Sequence, residues 1–412
     1  MQTKFIYNKK YRLSLLVLLI TISTGILWSN SSINLTFFNW TIDFITIITL
    51  LQFRKVGSYY KFIDTFFFWL LISIIRGVFI AENYWEWKQL IIGTFSLSLP
   101  LFVYAFDKPD IVSCVLRYWF KYAIPLFFLF IFILSNGTYH FYLGPIFIIG
   151  CFIPIIPNKW KFIIGGLLVI MLFINLGARS QVIKSAVVLL ITLGVYLRRF
   201  ISVKILKFIH ASCYILPIIL LYLGISGTFN IFQDLSSNEG KYVEKKVVNG
   251  QIREDDLSTD TRTFIYVEVI ESALRHNYII WGRTPARGND SASFGSYNAE
   301  NLKTGKYERH SNELCHTNIF TWLGLIGVIL YSFIYFRSSY LAIYKSNNIY
   351  VKYLGCFIAF RWAYGWIEDF NQFDIMNISL WMMIAMGISF QFRSLSNKQF
   401  KLWLNSIFNK NI

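Results

Sequence analysis

The stretch from Leu314 to Phe336 reads LCHTNIFTWLGLIGVILYSFIYF and contains no Asp, Glu, Lys or Arg. An apolar helix of about 20 residues is long enough to cross the hydrocarbon of a bilayer. The rest of the chain has the same character, since 55% of its 412 residues are hydrophobic and only 15% are charged. A soluble domain of this size would need more charge to cover its surface. The stretch therefore predicts a spanning helix in a polytopic membrane protein.

We predict an all-α fold with about twelve such spans, whose ends are set by the limits of the apolar runs. In chain order they are Leu13–Trp28, Ile33–Phe53, Phe62–Ala81, Leu90–Phe106, Tyr118–Leu134, Phe141–Ile156, Phe162–Leu176, Gln181–Leu197, Ile205–Leu223, Leu314–Phe336, Tyr350–Trp366 and Ile375–Phe390. The first span follows Lys9, Lys10 and Arg12 as a signal peptide would. No cleavage pattern of small residues comes after it, so we interpret it as an anchor that stays.

The short loops between the predicted spans carry an asymmetric charge. With the N-terminus placed in the cytoplasm, the inner loops hold most of the lysines and arginines, and the outer loops hold acidic residues such as Glu82 and Glu86. This is the positive-inside pattern, and it predicts that both termini are cytoplasmic. The net charge of +17 then reflects attraction to anionic inner lipid rather than nucleic-acid binding.

One long polar segment, about Thr228 to Glu308, interrupts the apolar runs. It divides the chain into an N-terminal bundle of about nine helices (1–227), an outer loop (228–310) and a C-terminal bundle of about three helices (311–412). Within the loop, 234–260 lacks an apolar period and is predicted to be irregular. Asp260 is a candidate cap for an amphipathic helix from Thr261 to near His276. Its apolar stripe is formed by Phe264, Val267, Ile270 and Leu274.

Cations collect on the outer side of the predicted membrane, where the charge bias disfavours them. The candidate binding residues are Arg76, Arg179, Lys184, Arg262, Arg283 and Arg361. The planar guanidinium group of arginine can donate two hydrogen bonds to one phosphate. Charged residues at membrane depth usually mark a functional site. As alternatives, Arg76 and Lys184 extend to outer headgroups, and Arg361 only pairs with Glu368 or Asp369.

Two histidines, His310 and His316, flank the return of the loop into the membrane and are the candidate general bases. Neighbouring cations keep an imidazole neutral and able to accept a proton. For His316 a role as a hydrogen-bonded packing residue is the alternative. Such a set supports attack by a hydroxyl on an activated carbon with pyrophosphate as the leaving group, and the sequence indicates no metal site and no cofactor.

These motifs, in this order, resemble the bacterial O-antigen polymerase and O-antigen ligase superfamily. Leu176–Ser180 is similar to its Ser/Thr-Arg turn, Thr261–Tyr266 to the start of its periplasmic-loop helix, and Asn277–Gly288 to its glycine-rich stretch. The segment His310–Gly327 resembles its His…Gly-x-x-Gly re-entry into the membrane. The family histidine lies eleven residues before the first paired glycine. Here His310 lies fourteen and His316 eight residues before Gly324, so either histidine is a candidate.

The resemblance implies a metal-independent, inverting glycosyltransferase of the GT-C type at the periplasmic side of the bacterial inner membrane. Its substrate would be an oligosaccharide carried on undecaprenyl pyrophosphate, with Arg179 and Arg262 at the pyrophosphate and His316 or His310 as the base. A polymerase would transfer to another lipid-linked repeat unit, and a chain-length regulator is a candidate partner. An O-antigen ligase would transfer to lipid A–core. A transporter of lipid-linked glycans is a third possibility.

Overall fold

The computed structural model describes residues 2–27, 29, 36–54, 57–174, 178–226, 228–229, 243–248, 251–256, 262–301 and 304–409. Within these ranges the regular structure is helical, apart from two short antiparallel strand pairs in the predicted outer loop. The predicted all-α class is therefore confirmed.

The N-terminal part contains twelve described α-helices, which we number in chain order. They are α1 (Gln2–Leu27), α2 (Thr36–Leu51), α3 (Lys61–Ile80), α4 (Tyr84–Leu97), α5 (Phe102–Phe106), α6 (Pro109–Tyr118), α7 (Ile124–Phe130), α8 (Asn136–Tyr142), α9 (Gly144–Gly150), α10 (Asn158–Phe173), α11 (Arg179–Tyr196) and α12 (Val203–Ile225). Short 3₁₀ turns lie at Ser58–Tyr60, Leu99–Leu101 and Ile153–Ile155, and a π-helical turn at Trp119–Ala123 joins α6 to α7.

The described elements that follow form the outer loop and the C-terminal part. They are β1 (Val243–Val248), β2 (Gln251–Asp256), α13 (Thr263–Arg275), β3 (Asn289–Asp290), a π-helical turn (Tyr297–Asn301), β4 (Glu308–Arg309), α14 (Cys315–Tyr344), α15 (Ile349–Tyr364), α16 (Ile375–Ile388), α17 (Phe390–Ser394) and α18 (Asn397–Ser406). Strand β1 pairs with β2, and β3 pairs with β4.

Among the described residues, seven helical segments are long and apolar enough to cross a membrane. They are Lys9–Leu27, Lys61–Ile80, Tyr84–Phe106, Pro109–Phe130, Arg179–Tyr196, Val203–Gly224 and Cys315–Tyr344. Their number indicates a multi-pass membrane protein. Other predicted spans correspond to shorter apolar helices, among them α2 and α16.

Proline and glycine explain why some predicted spans are divided. The apolar run Phe141–Ile156 is split between the end of α8, α9 and a 3₁₀ turn, with Pro145 and Pro154 near the starts of the last two pieces. Proline cannot donate a backbone hydrogen bond inside a helix and clashes with the preceding turn. Gly144 adds a second constraint, because a Cβ there would lie 2.5 Å from the Cα of Met376.

Helices α14 and α16 lie at the centre of the protein. Every residue of α16 is buried, and this is the pattern expected for a helix that is hydrophobic all round. Helix α14 packs against α3, α12, α15 and α16. Buried residues of the N-terminal and C-terminal helices therefore belong to one hydrophobic cluster.

Helix α14 is broken in its N-terminal third. At Gly324 the backbone has φ 69° and ψ −171°, which is not helical. The glycine-rich turn of the outer loop fills the break: Arg283 N–H donates to the Thr321 carbonyl at 2.7 Å, and Leu325 N–H donates to the Ile279 carbonyl at 2.8 Å. Gly324 and Gly327 lie three residues apart, a spacing that predicts only close helix packing. In the structure, Gly324 instead allows the loop backbone to enter the helix.

Side chains of α3 close the same break from the other side. Trp69 Nε1–H donates to the Leu323 carbonyl at 2.9 Å, and the Ser73 hydroxyl donates to the Trp322 carbonyl at 3.2 Å. Non-helical backbone at membrane depth is tolerated when its polar groups are satisfied inside the protein. The loop turn, α3 and α14 therefore form one hydrogen-bonded unit.

The predicted amphipathic helix of the loop is present as α13, which begins at Thr263; the candidate cap Asp260 lies outside the described residues. It has two apolar faces. Ile265 and Val269 are buried against Leu314, whereas Val267 and Ile270, from the predicted stripe, are exposed. Val267, Ile270 and Leu274 of the predicted stripe therefore face away from the protein core, whereas Phe264 packs against the cluster of Ile265, Val269 and Leu314.

The prediction that 234–260 is irregular is wrong for part of that segment. Strands β1 and β2 pair in register from Val243 opposite Asp256 to Val248 opposite Gln251. Asn249 and Gly250, which lie outside the described residues, form the dipeptide that two-residue hairpin turns favour. That signal was available in the sequence beside the high charge.

Candidate functional site

A buried carboxylate binds two of the candidate cations. The Lys184 ammonium lies 2.6 Å from Oε1 of Glu368, and Nη1 of Arg361 lies 2.9 Å from Oε2. All three residues are buried. Lys184 therefore does not extend to headgroups, and Arg361 makes one of the pairs considered from the sequence. Both cations, predicted to bind substrate, direct their charge at Glu368 and connect α11 to the outer end of α15.

Glu368 is ionised in this environment. Burial alone would raise its pKa, but the charges of Lys184 and Arg361 lower the pKa below the usual value for glutamate. Lys184, Arg361 and Glu368 together carry one formal positive charge, and the carboxyl group of Asp374 also acts electrostatically on Lys184. The same residue is fixed through its backbone, because its carbonyl accepts from Cys315 N–H at 3.1 Å.

Arg262 and Arg179 both lie near Tyr364, the last residue of α15. Arg262 immediately precedes α13, its Nε–H donates to the Ile367 carbonyl at 3.2 Å, and its Nη1 pairs with the Glu313 carboxylate. Arg179 is exposed at the first position of α11. Both guanidinium groups act electrostatically on the Tyr364 hydroxyl. The two arginines that were predicted to bind pyrophosphate thus act on the same residue.

An apolar groove of about 480 Å³ begins beside these arginines, and we call it the lipid-side groove. It runs between the C-terminal half of α12, the exposed residues of α13 and the C-terminal end of α15. Its lining is Leu216, Pro217, Leu220, Leu221, Gly224, Thr263, Tyr266, Val267, Ile270, Glu271, Phe360, Ala363, Tyr364, Trp366 and Ile367. The Tyr266 hydroxyl donates to the Trp366 carbonyl and so ties α13 to the other wall. The groove suits an extended apolar chain that ends at a charged group.

Arg76 and Arg283 lie at a different place, in a polar cavity of about 540 Å³ that we call the Arg76 cavity. Its described lining residues are Arg76, Ile80, His276, Asn277, Tyr278, Trp281, Gly282, Arg283 and Arg287. Arg76 donates from Nη1 to the Trp281 carbonyl at 2.9 Å and from Nη2 to the Gly282 carbonyl at 3.1 Å. The predicted binding residues are therefore divided among the lipid-side groove, the Arg76 cavity and the buried Glu368 cluster.

Carboxylates hold the loop cations of this region in place. Glu308 accepts from Arg283 Nη2 at 3.0 Å and from Arg287 Nε at 2.9 Å, and it is buried. Lys306 lies 2.6 Å from the buried carboxylate of Glu86, at the start of α4. Burial would raise the pKa of Glu308, but the two arginines lower it, so the carboxylate is charged.

The two candidate histidines lie in different surroundings. His316 is buried, Nε2 donates to the Trp362 carbonyl at 2.9 Å, and the ring packs 4.6 Å from Trp366, which lines the lipid-side groove. Its Nδ1 has no described partner. Both ring nitrogens of His310 also lack a described partner, and burial lowers the pKa of His310 below its usual value. His310 interacts with the charges of Glu308 and Arg287, on the side of the Arg76 cavity.

Sequence reasoning missed several residues of the site. Glu308, Lys306 and Glu86 form ion pairs around the loop arginines. Tyr364 lines the lipid-side groove and is the residue on which Arg262 and Arg179 both act. Glu86 carried a usable signal, because an acidic residue on the outer side is a natural partner for loop cations. Within the described ranges, no group of three or more His, Cys, Asp or Glu residues is placed to hold a metal ion.

No protein family, curated protein or solved structure was found to match this chain. The arrangement of its own residues therefore supplies the basis for a functional proposal.

Proposed function

We propose that the protein is a surface-polysaccharide polymerase that joins repeat units carried on undecaprenyl pyrophosphate. The observation that carries the proposal is the lipid-side groove, an apolar channel that ends beside Arg262, Arg179 and Tyr364. A polyprenyl pyrophosphate has the same sequence of chemical parts, a long apolar chain followed by a strongly anionic group. The groove would take the chain, and the arginines would bind the pyrophosphate.

The arginine site is accessible to such a ligand. The pair between Arg262 and Glu313 lies at the surface, since about half of the Glu313 side chain is exposed. Exposed ion pairs contribute little, so a pyrophosphate can replace this carboxylate at small cost. The Glu368 cluster lies on the same wall and adds positive charge from behind, through Lys184 and Arg361.

In the proposed reaction, a hydroxyl of the acceptor sugar attacks the anomeric carbon of the donor. A new glycosidic bond forms, and the bond from that carbon to the pyrophosphate oxygen breaks with inversion. The pyrophosphate leaves with the electron pair, and Arg262 and Arg179 stabilise its charge. The hydroxyl proton passes to a base, and the unpartnered Nδ1 of His316 and ring nitrogens of His310 are the candidates.

The topology is part of the proposal. We propose about twelve spans, with the described shorter helices completing the seven long ones. Both termini then lie in the cytoplasm, and the segment with α13 and the two hairpins lies in the periplasm of a bacterial inner membrane. A chain-length regulator is a candidate partner for such a polymerase.

The test is a transfer assay with purified full-length protein in lipid nanodiscs. Undecaprenyl-pyrophosphate-linked repeat unit would be supplied, and elongated lipid-linked glycan would be measured. Arg262→Gln and Arg179→Gln should each lower the rate about 10²-fold, as expected when one donor to a leaving-group anion is lost. Arg275→Gln is the matched control, because Arg275 is an exposed cation at the other end of α13.

A second variant tests the groove itself. Ile270→Trp would fill part of the channel and should slow transfer from undecaprenyl pyrophosphate more than from a short-chain polyprenyl pyrophosphate carrying the same glycan. Equal slowing of both donors would argue against the groove as the lipid site.

The same assay separates the proposed activity from its alternatives. Loss of transfer in one of His310→Gln and His316→Gln, but not in the other, would identify the base. Product only after addition of lipid A–core would identify an O-antigen ligase. If folded protein forms no product with either acceptor, the polymerase proposal fails, and a lipid-linked glycan transporter becomes the leading alternative.

A further inference from the structure

We infer that the Arg76 cavity is a second binding site, which takes a carboxylate or phosphate group carried on a saccharide. The choice of a saccharide rests on the proposed function. The anion-binding character of the cavity rests on its own geometry.

The first observation is the sign of the charges that face the cavity. Arg76, Arg283 and Arg287 are in its wall, and no Asp or Glu is among the described residues that line it. The carboxylates of this region, such as Glu308, are outside that lining. The described wall of the cavity is therefore cationic, although the wider network contains both signs.

The second observation is that the arginines are fixed from behind. Arg283 Nη1 donates to Asp290 Oδ1 at 3.1 Å and to the Gly288 carbonyl at 2.8 Å, while Nη2 donates to Glu308 at 3.0 Å. Groups whose orientation is set by surrounding hydrogen bonds bind a ligand with less loss of entropy. The cations are thus positioned before any ligand arrives.

The third observation concerns Arg76. Its described partners are two carbonyls, those of Trp281 and Gly282, and no described carboxylate forms an ion pair with it. Carbonyls satisfy hydrogen-bond donors but do not neutralise the charge. A guanidinium in this state, facing a cavity, favours an anion.

The fourth observation is an aromatic surface beside these cations. Trp281 is about half exposed, and it is held by stacking on Trp69 with ring centroids 5.0 Å apart. Tyr278 and the amide of Asn277 complete this part of the wall. A sugar ring has an apolar face of C–H bonds that packs on an aromatic ring, and its hydroxyls need polar partners nearby. The volume of about 540 Å³ is within the range of small-molecule sites.

The experiment is calorimetric titration of the full-length protein in nanodiscs of phosphatidylcholine. The probes are a disaccharide of glucuronic acid and glucose, glucose 1-phosphate, and the neutral disaccharide cellobiose. We expect the two anionic sugars to bind and cellobiose to bind much more weakly. The relative affinity of the two anionic probes tells a carboxylate ligand from a phosphate ligand.

Arg76→Gln should weaken binding of the preferred anionic sugar about 10- to 100-fold, because a charge-assisted hydrogen bond is lost. Arg275→Gln, which removes a nearby cation that does not line the cavity, should leave binding unchanged. Since Arg76 also supports the loop, thermal unfolding of the variant is measured in parallel. If Arg76→Gln does not fold, Ile80→Glu, which places a carboxylate in the cavity wall, should abolish anion binding.

Equal binding of cellobiose and the acidic sugars, or unchanged binding in the folded Arg76 variant and in Ile80→Glu, would overturn the inference. The titration is repeated in nanodiscs that contain the anionic lipid phosphatidylglycerol. Complete displacement of the sugars would identify the cavity as a lipid headgroup site and would also overturn the inference. Failure of the transfer assay with sugar binding intact would reject the proposed polymerase activity and leave the anion site standing. Active transfer without binding of the acidic sugars would reject the anion site and leave the proposed polymerase activity standing.

Discussion

Replacing Gly324 with alanine tests whether the break in α14 is built into the fold. At φ 69° and ψ −171° the backbone is in a region that only glycine occupies readily. A Cβ at this position would lie 2.1 Å from the Ile280 carbonyl oxygen and 2.4 Å from its carbon. Both atoms are backbone, so the clash is not relieved by turning a side chain. The loop turn must move away from the helix.

The expected loss follows from two physical causes. A residue held in this backbone region costs about 1–3 kcal/mol. Moving the turn also breaks the bonds from Leu325 N–H to Ile279 and from Arg283 N–H to Thr321, and each contributes about 0.5–1.5 kcal/mol. Together these give a destabilisation of about 2–6 kcal/mol, which is large beside the 5–15 kcal/mol that typically separates folded from unfolded protein.

The measurement is equilibrium unfolding in mixed micelles with increasing sodium dodecyl sulfate, followed by near-ultraviolet circular dichroism. Gly166→Ala is the matched control, because Gly166 is exposed in α10 and a Cβ there meets nothing within 4 Å. It should be neutral or slightly stabilising. Gly282→Ala should also destabilise the protein. The double variant Gly282→Ala/Gly324→Ala should lose less free energy of unfolding than the two single variants lose together, because the two glycines are in contact.

A loss for Gly324→Ala within about 0.5 kcal/mol of the Gly166 control would refute this reasoning, because surface substitutions outside special features stay in that range. The helix would then be continuous in solution. Strict additivity of the two glycine variants would contradict the direct contact between the turn and the break.

Two further predictions concern buried carboxylates. Glu368→Gln should destabilise the protein by about 3–5 kcal/mol in the same unfolding assay, because it leaves Lys184 and Arg361 buried without a counter-charge; a loss no larger than that of the exposed Glu313→Gln would contradict this. For Glu308, the folded-state pKa lies below the usual 4.5, so its contribution to stability is present above pH 4.5 and is lost as the pH falls through the lowered pKa. The sodium dodecyl sulfate concentration at the unfolding midpoint should therefore decrease as the pH is lowered below about 4.5. Glu308→Gln should reduce this decrease. The same decrease in that variant would show that other groups cause it.

The fold class was predictable because lipid imposes a strict requirement on the backbone. A segment in hydrocarbon must satisfy its own N–H and C=O groups, so long apolar runs such as Leu314–Phe336 imply helices. The interruption of that helix was not predictable from its apolar pattern, which continues on both sides of Gly324. What breaks it is the backbone of residues 279–284, which lie 40 to 45 positions before Gly324 in the chain. Only tertiary structure brings the two together.

Ion pairs between residues that are distant in the sequence were likewise not predictable. Arg361 and Glu368 are seven residues apart at the end of one helix, and the sequence suggested their contact. Lys184 reaches the same carboxylate from 184 positions away, and nothing in its own neighbourhood indicates this partner. The sequence identified the charges that are unusual for a membrane. Which of them neutralise each other, and which remain available to a ligand, depends on how the helices pack.

Helix α13 relates the two sites that we propose. Its N-terminal end, at Arg262 and Thr263, borders the lipid-side groove, and the residues just after its C-terminal end, His276 and Asn277, line the Arg76 cavity. A helix of 13 residues is roughly 20 Å long at 1.5 Å per residue. This distance separates Arg262 from the Arg76 cavity and is too large for one sugar ring to contact both. An oligosaccharide, or two separate substrates, can occupy both at once, and joining one lipid-linked repeat unit to another requires that arrangement. The apolar stripe of α13 and its two polar ends thus serve different parts of the same proposed reaction.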